Sequence, residues 1–93
     1  MKVSEISPKQ VKEYLKEEEI SDEKVKELLN ASIQYIMSYT GLSAEQMDAH
    51  EEFWIAAMIL CQDMLDNRSL YVDKDNINHT VKTILGMHSI NLL

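Results

Sequence analysis

The side chains best suited to metal, acid–base or nucleophilic chemistry in this chain are His50, His79 and His88, the single cysteine Cys61, and the two carboxylates that follow His50, Glu51 and Glu52. A zinc-hydrolase helix carries two histidines four apart, so that both rings face one side. His50 has no such partner, and on a helix the consecutive residues His50, Glu51 and Glu52 would point in different directions. His79 and His88 have no cysteine or carboxylate at ligand spacing between them. Cys61 is alone, so it can form no internal disulfide, and within an apolar segment a single thiol reads as a small apolar filler. There is no glycine-rich phosphate loop, no nucleophile elbow and no Cys-His pair. The expectation is a chain with no catalytic residue, no metal and no cofactor, its histidines exposed and polar. The one enzymatic alternative is a site completed at a subunit boundary, for which His50 with Glu51 would be the starting point.

The elements that would position these residues centre on 53–65, FWIAAMILCQDML. At helical spacing it carries two unbroken apolar rows, Phe53, Ala57, Leu60, Met64 and Trp54, Met58, Cys61, Leu65. A third row, Ile55 and Ile59, turns polar at Gln62 and Asp66. A helix apolar around most of its circumference must be largely enclosed. Ala56 and Ala57 are small enough to let a neighbouring backbone approach. The segment is too short to span a bilayer, which needs about 20 apolar residues, so no membrane association is expected. This central helix is expected to begin near Asp48.

Ahead of it, Met1 to Ile6 reads as a short, extended lead with Val3 and Ile6 apolar. Ser7 followed by Pro8 opens a helix, with Val11, Tyr14 and Leu15 inward. The acid run Glu17, Glu18, Glu19 is unfavourable at a negative helix end, so this helix should stop near Lys16. Ser21, Asp22 and Glu23 open a second, longer helix, with Ile20 placed to staple Val25 and Asp22 placed to pair with Lys26. Val25, Leu28, Leu29, Ile33, Ile36 and Met37 keep the 3-4 spacing. Tyr35 and Tyr39 lie at the edge of that stripe, and Gly41 supplies the left-handed stop. Ser43 with Gln46, and Asp48 with Glu51, both have capping-box spacing, so a short turn can precede the central helix. Residues 70–78, LYVDKDNIN, form the longest irregular segment. A last helix is capped by Asn78, carries Val81, Ile84 and Leu85 inward and stops at Gly86, leaving an apolar tail, MHSINLL.

Ninety-three residues make one domain, 1–93, of which roughly 60 to 65% of the unfolded surface is buried on folding. Only two glycines and one proline argue against many short strands, so the expected class is all-α: a bundle of about four helices, with a loop between the third and fourth and a tail over 87–93 that orders on assembly. The net charge of −7 and the single arginine, Arg68, argue against a surface that grips phosphate backbones. The start MKVSEISPK has no apolar stretch, so no secretory leader is expected and the address is the cytoplasm of the producing cell.

The order of features, VKEYLK, an acidic connector, a long helix closing in ASIQYIMSYTG, an apolar helix ending MLDNRSLY, and a final TVKTIL, resembles the small head-tail connector (adaptor) proteins of tailed bacteriophages and prophages. The likeness runs from about Ile6 to Leu85. One departure is that the family often places an aromatic and an arginine just after the last helix, where this chain has Gly86, Met87 and His88.

The resemblance implies a structural virion protein: a ring of identical subunits, made in the bacterial host cytoplasm and ending at the head-tail junction of the virion. The ring would lie between the portal protein and the tail or head-closure protein, and DNA would pass through it without sequence-specific binding. Such a ring uses a heterologous interface. The apolar residues without a place in a four-helix core are its candidates: Tyr71, Val72 and Ile77 in the loop, and Ile90, Leu92 and Leu93 in the tail. For each, the alternative is packing within its own chain. Trp54 and Gly41 read as structural. Arg68 matches the family's usual Asn-Arg pair and reads as structural within the chain. A low density of basic residues would suit a lumen that DNA must traverse without sticking. The alternative from another class is a small acidic helical regulator or inhibitor that binds a basic protein partner.

Overall fold

Side-chain caps open the helices on either side of the central one, which itself starts without one. In the computed structural model, which describes residues 2–17, 19–67 and 77–88, the Ser7 hydroxyl accepts from the Gln10 amide while the Gln10 side chain accepts from the Ser7 amide, and Pro8 opens α1 (Pro8–Leu15). The Ser21 hydroxyl accepts from the Lys24 amide at the start of α2 (Asp22–Thr40). Ser43 and Gln46 form a second reciprocal box on α3 (Ala44–Asp48). The apolar α4 (Phe53–Asp66) and α5 (His79–His88) follow. Asn78 caps α5, its side-chain oxygen accepting from the Thr80 amide at 2.8 Å.

Among the described residues the chain is all-α, with five α-helices, one 3-10 turn over Val3–Glu5 and no strand. The additional element, relative to four expected helices, is α3. The central helix begins at Phe53, not near Asp48, because α3 ends at Asp48 and residues 49–52 form a tight connection held by backbone bonds such as His50 N–H to Met47 O and Phe53 N–H to His50 O. The radius of gyration, 12.6 Å, is close to the value of about 12 Å for a compact domain of this length.

Enclosure of α4 follows from its composition. Phe53, Ala56, Ala57, Met58, Leu60, Cys61 and Met64 are buried, and the helix packs against α1, α2, α5 and the 3-10 turn. Of its third row, Ile55 is 38% exposed while Ile59 is half-buried against the core. Trp54 is half-buried against the core, as are Leu29, Ile33 and Met37 of α2. Two hydroxyls are buried in α2: Ser32 donates to Leu28 O at 2.9 Å and lies 3.3 Å from the Cys61 sulfur, and Thr40 donates to Ile36 O at 2.7 Å. Both are thereby satisfied, so their burial carries little penalty.

Several local expectations are corrected. The N-terminal lead is not extended: Val3 and Ile6 are buried, and Asp48 holds the 3-10 turn by accepting from the Ser4 amide at 3.1 Å and the Ser4 hydroxyl at 2.7 Å. Asp48 is therefore a clasp rather than a helix cap. Asp22 makes its ion pair with Lys12 of α1 at 2.6 Å, which ties two helices together, and Lys26 one turn on adds a weaker charge attraction. Tyr14 is exposed rather than inward. Gly86 does not stop α5, which continues to His88, so Met87 and His88 belong to the helix and not to a tail. Gly41 does end α2, at φ 76°, with its amide donating to Met37 O at 2.8 Å. α1 ends on Lys16 at φ 58°, a left-handed conformation held without glycine.

Candidate functional site

The connection between α3 and α4 brings His50 and Glu52 to the C-terminal end of α5, where His88 sits. The His88 Nε2 and a Glu52 carboxylate oxygen are 2.7 Å apart, across 36 positions of sequence. The His50 and His88 rings lie with centroids 4.2 Å apart. Phe53, fully buried, forms the floor, its ring edge-on to His50 at 5.8 Å and to His88 at 5.1 Å. One ligand-type atom from each of His50, Glu52 and His88 lies within 4.8 Å of the other two. The Glu52 side chain is 41% exposed and that of His88 15%, so solvent reaches the cluster from the Glu52 side. The backbone amide of Glu52 and, after it, the His88 hydrogen bond hold the Glu52 carboxyl below its ordinary pKa.

This arrangement was hidden in the sequence for a definite reason. His50 and Glu52 diverge on a continuous helix, but the chain is a turn at that point. His88 would belong to a loose tail if α5 stopped at Gly86, but α5 does not stop there. His79, at the other end of α5, is exposed and does not take part.

Of the residues expected at an interface, Ile77 is described. It packs against the core and also lines an open groove with Tyr35, Ser38, Tyr39 and Lys82. The two tyrosine rings are 6.0 Å apart, and burial first, then the neighbouring Tyr39, push the Tyr35 hydroxyl pKa up. Tyr71, Val72, Ile90, Leu92 and Leu93 lie outside the described residues, as does Arg68. The large apolar side chains most exposed among the described residues are Tyr14, Tyr39, Ile55 and Met87, the last at 70%. They are spread over four helices rather than gathered on one.

Cys61 is buried between α2 and α4, and its pKa is raised by burial, with the Ser32 hydroxyl acting in the opposite direction. A buried thiol of this kind is a poor nucleophile. No helix among the described residues is long and apolar enough to cross a membrane. No family model, curated protein or solved structure matches the chain.

Proposed function

We propose that the chain is a structural virion protein, a head-tail connector of a tailed bacteriophage or prophage, that assembles as a ring between the portal protein and the tail or head-closure protein. The observation that carries this reading is the order of its quoted segments along the chain, each in a different helical element. VKEYLK lies on α1 and its cap, ASIQYIMSYTG closes α2 on the left-handed Gly41, MLD ends α4, and TVKTIL lies within α5.

A connector subunit needs a core that holds its own helices and apolar side chains left over for its neighbours. The enclosed α4 meets the first requirement. Tyr39 and Ile77, beside an open groove, and the exposed Met87 meet the second among the described residues. In this reading the chain catalyses no reaction, and it contacts DNA only as a non-adhesive wall, for which its acid excess is suited. It works in the host cytoplasm during assembly and remains at the head-tail junction of the virion.

The test is light scattering after size exclusion, on the protein alone and mixed with the portal protein of the same genome. Co-elution as a large assembly, lost when Ile90 to Leu93 are deleted, is the expected result. A persistent monomer that leaves portal unbound at high concentration overturns it. Capture by a basic, nucleic-acid-binding protein under those conditions would identify a regulator instead.

A further inference from the structure

We propose that His50, Glu52 and His88 form a binding site for a divalent ion of the zinc class, which staples the C-terminal end of α5 to the α3–α4 connection. The donor set selects the metal. Two imidazoles and a carboxylate are the ligands of zinc sites with an open fourth position. The absence of a thiolate disfavours copper(I) and iron–sulfur chemistry, and the two imidazoles disfavour magnesium and calcium, which take oxygen ligands. The nearest thiol, Cys61, is buried between α2 and α4 and engaged with Ser32.

The geometry is close to what the ion requires. Zinc bonds of about 2.0 to 2.2 Å in a tetrahedron place ligand atoms roughly 3.3 to 3.6 Å apart. The pairs here lie within 4.8 Å, and the His88–Glu52 pair at 2.7 Å is drawn closer than a shared metal would hold it. Binding therefore replaces the hydrogen of the Glu52–His88 contact with the ion, releases that proton to solvent and separates the two atoms by roughly 0.6 to 0.9 Å. The rings of His50 and His88, inclined by 38° to one another, turn so that one nitrogen of each faces the ion. Phe53 closes the site from below, and among the described residues the cluster supplies three ligands, which leaves a fourth position open. The ligands come from two elements far apart in sequence, so a bound ion closes a chain segment that includes α4 and the whole 68–76 connection.

The experiment is calorimetric titration of untagged, chelator-treated protein with Zn²⁺, together with Co²⁺ absorption and thermal melting. The wild type should bind one equivalent and show the visible bands of cobalt in a tetrahedral site, and its melting temperature should rise on adding Zn²⁺. His50→Ala and His88→Ala should each weaken binding by about tenfold or more and abolish the melting shift, by analogy with the loss on perturbing metal shells. Glu52→Gln should weaken it as well. His79→Ala, outside the cluster, should change nothing. Far-ultraviolet circular dichroism confirms that each variant is folded. If His88→Ala fails to fold, His50→Ala and Glu52→Gln carry the comparison. Absence of Zn²⁺ binding by the wild type, or binding left intact by His50→Ala and Glu52→Gln, overturns the proposal.

Discussion

Truncating the same helix on its two sides separates an enclosed α4 from one that merely lies on a surface. Leu60 is 1% exposed and shares an inward row with Phe53, Ala57 and Met64, whereas Ile55 is 38% exposed on the outer row. Leu60→Ala removes three carbons and leaves a void that fixed neighbours cannot fill, a change that costs roughly 2.7 to 5 kcal/mol. Ile55→Ala also removes three carbons, but at about 0.8 kcal/mol each, scaled by the buried fraction and with a void open to water, the loss is near 1.5 kcal/mol. For 93 residues the unfolding entropy is about 0.2 kcal/mol per kelvin. The expected fall in melting temperature is therefore roughly 14 to 25 °C for Leu60→Ala and about 8 °C for Ile55→Ala. Calorimetry at neutral pH, at a concentration where light scattering shows monomer, makes the comparison. Equal shifts, or the larger shift at Ile55, would refute the assignment of the inward face and with it the central place of α4.

Three further outcomes follow from local features. Asp48 is held below its ordinary pKa of 3.8 by the Ser4 hydroxyl first and the Ser4 amide second, so its contribution is fully present above that value and disappears as pH falls through the lower folded value. Asp48→Ala should accordingly melt lower than wild type at pH 6, and the gap should close as the pH is taken below 3.8, measured by circular dichroism across that range. Gly86 sits inside α5 with open space where a Cβ would go, so Gly86→Ala should raise stability by about 0.5 to 1 kcal/mol, seen as a melting temperature higher by roughly 3 to 5 °C. Cys61, buried and with its pKa raised, should react with a thiol reagent only slowly in the native state and at once in denaturant; rapid native labelling would contradict its burial.

The helices were legible wherever local chemistry and burial agree. Ser7, Ser21 and Ser43 each precede a first turn that needs an acceptor, and each supplies one. Gly41 ends α2 because its left-handed conformation is open to glycine at no steric cost. Lys16 adopts a left-handed conformation without that advantage, and its position was legible only through the acid run that follows it. Periodicity identified the apolar stripe of α2 but not Ser32 and Thr40, because a hydroxyl that bonds back to a carbonyl of its own helix can be buried as readily as a small apolar group. Asp22 shows the opposite limit: Lys26 is nearer in sequence, but α1 packs on α2 and presents Lys12 instead.

The candidate site was illegible for a reason that can be traced to two boundaries. Helical spacing assumes that a segment is helical throughout. A central helix starting near Asp48 would send His50 and Glu52 apart, and a last helix stopping at Gly86 would release His88. Both boundaries depend on tertiary contacts. Asp48 is drawn to Ser4, which closes α3 against the N-terminal turn, and Phe53 is drawn into the core, which begins α4 five residues later. The four residues between must turn tightly. α5 runs past Gly86 to place His88 against Phe53, and the ring contacts and the Glu52 hydrogen bond offset the weak helix propensity of glycine. The cluster is thus a by-product of how Asp48 and Phe53 divide the 43–66 region into two helices. Asp48→Ala, which loosens the first boundary and replaces none of the three ligand residues, should therefore weaken Zn²⁺ binding. Unchanged affinity in that variant would show that Phe53 alone sets the geometry.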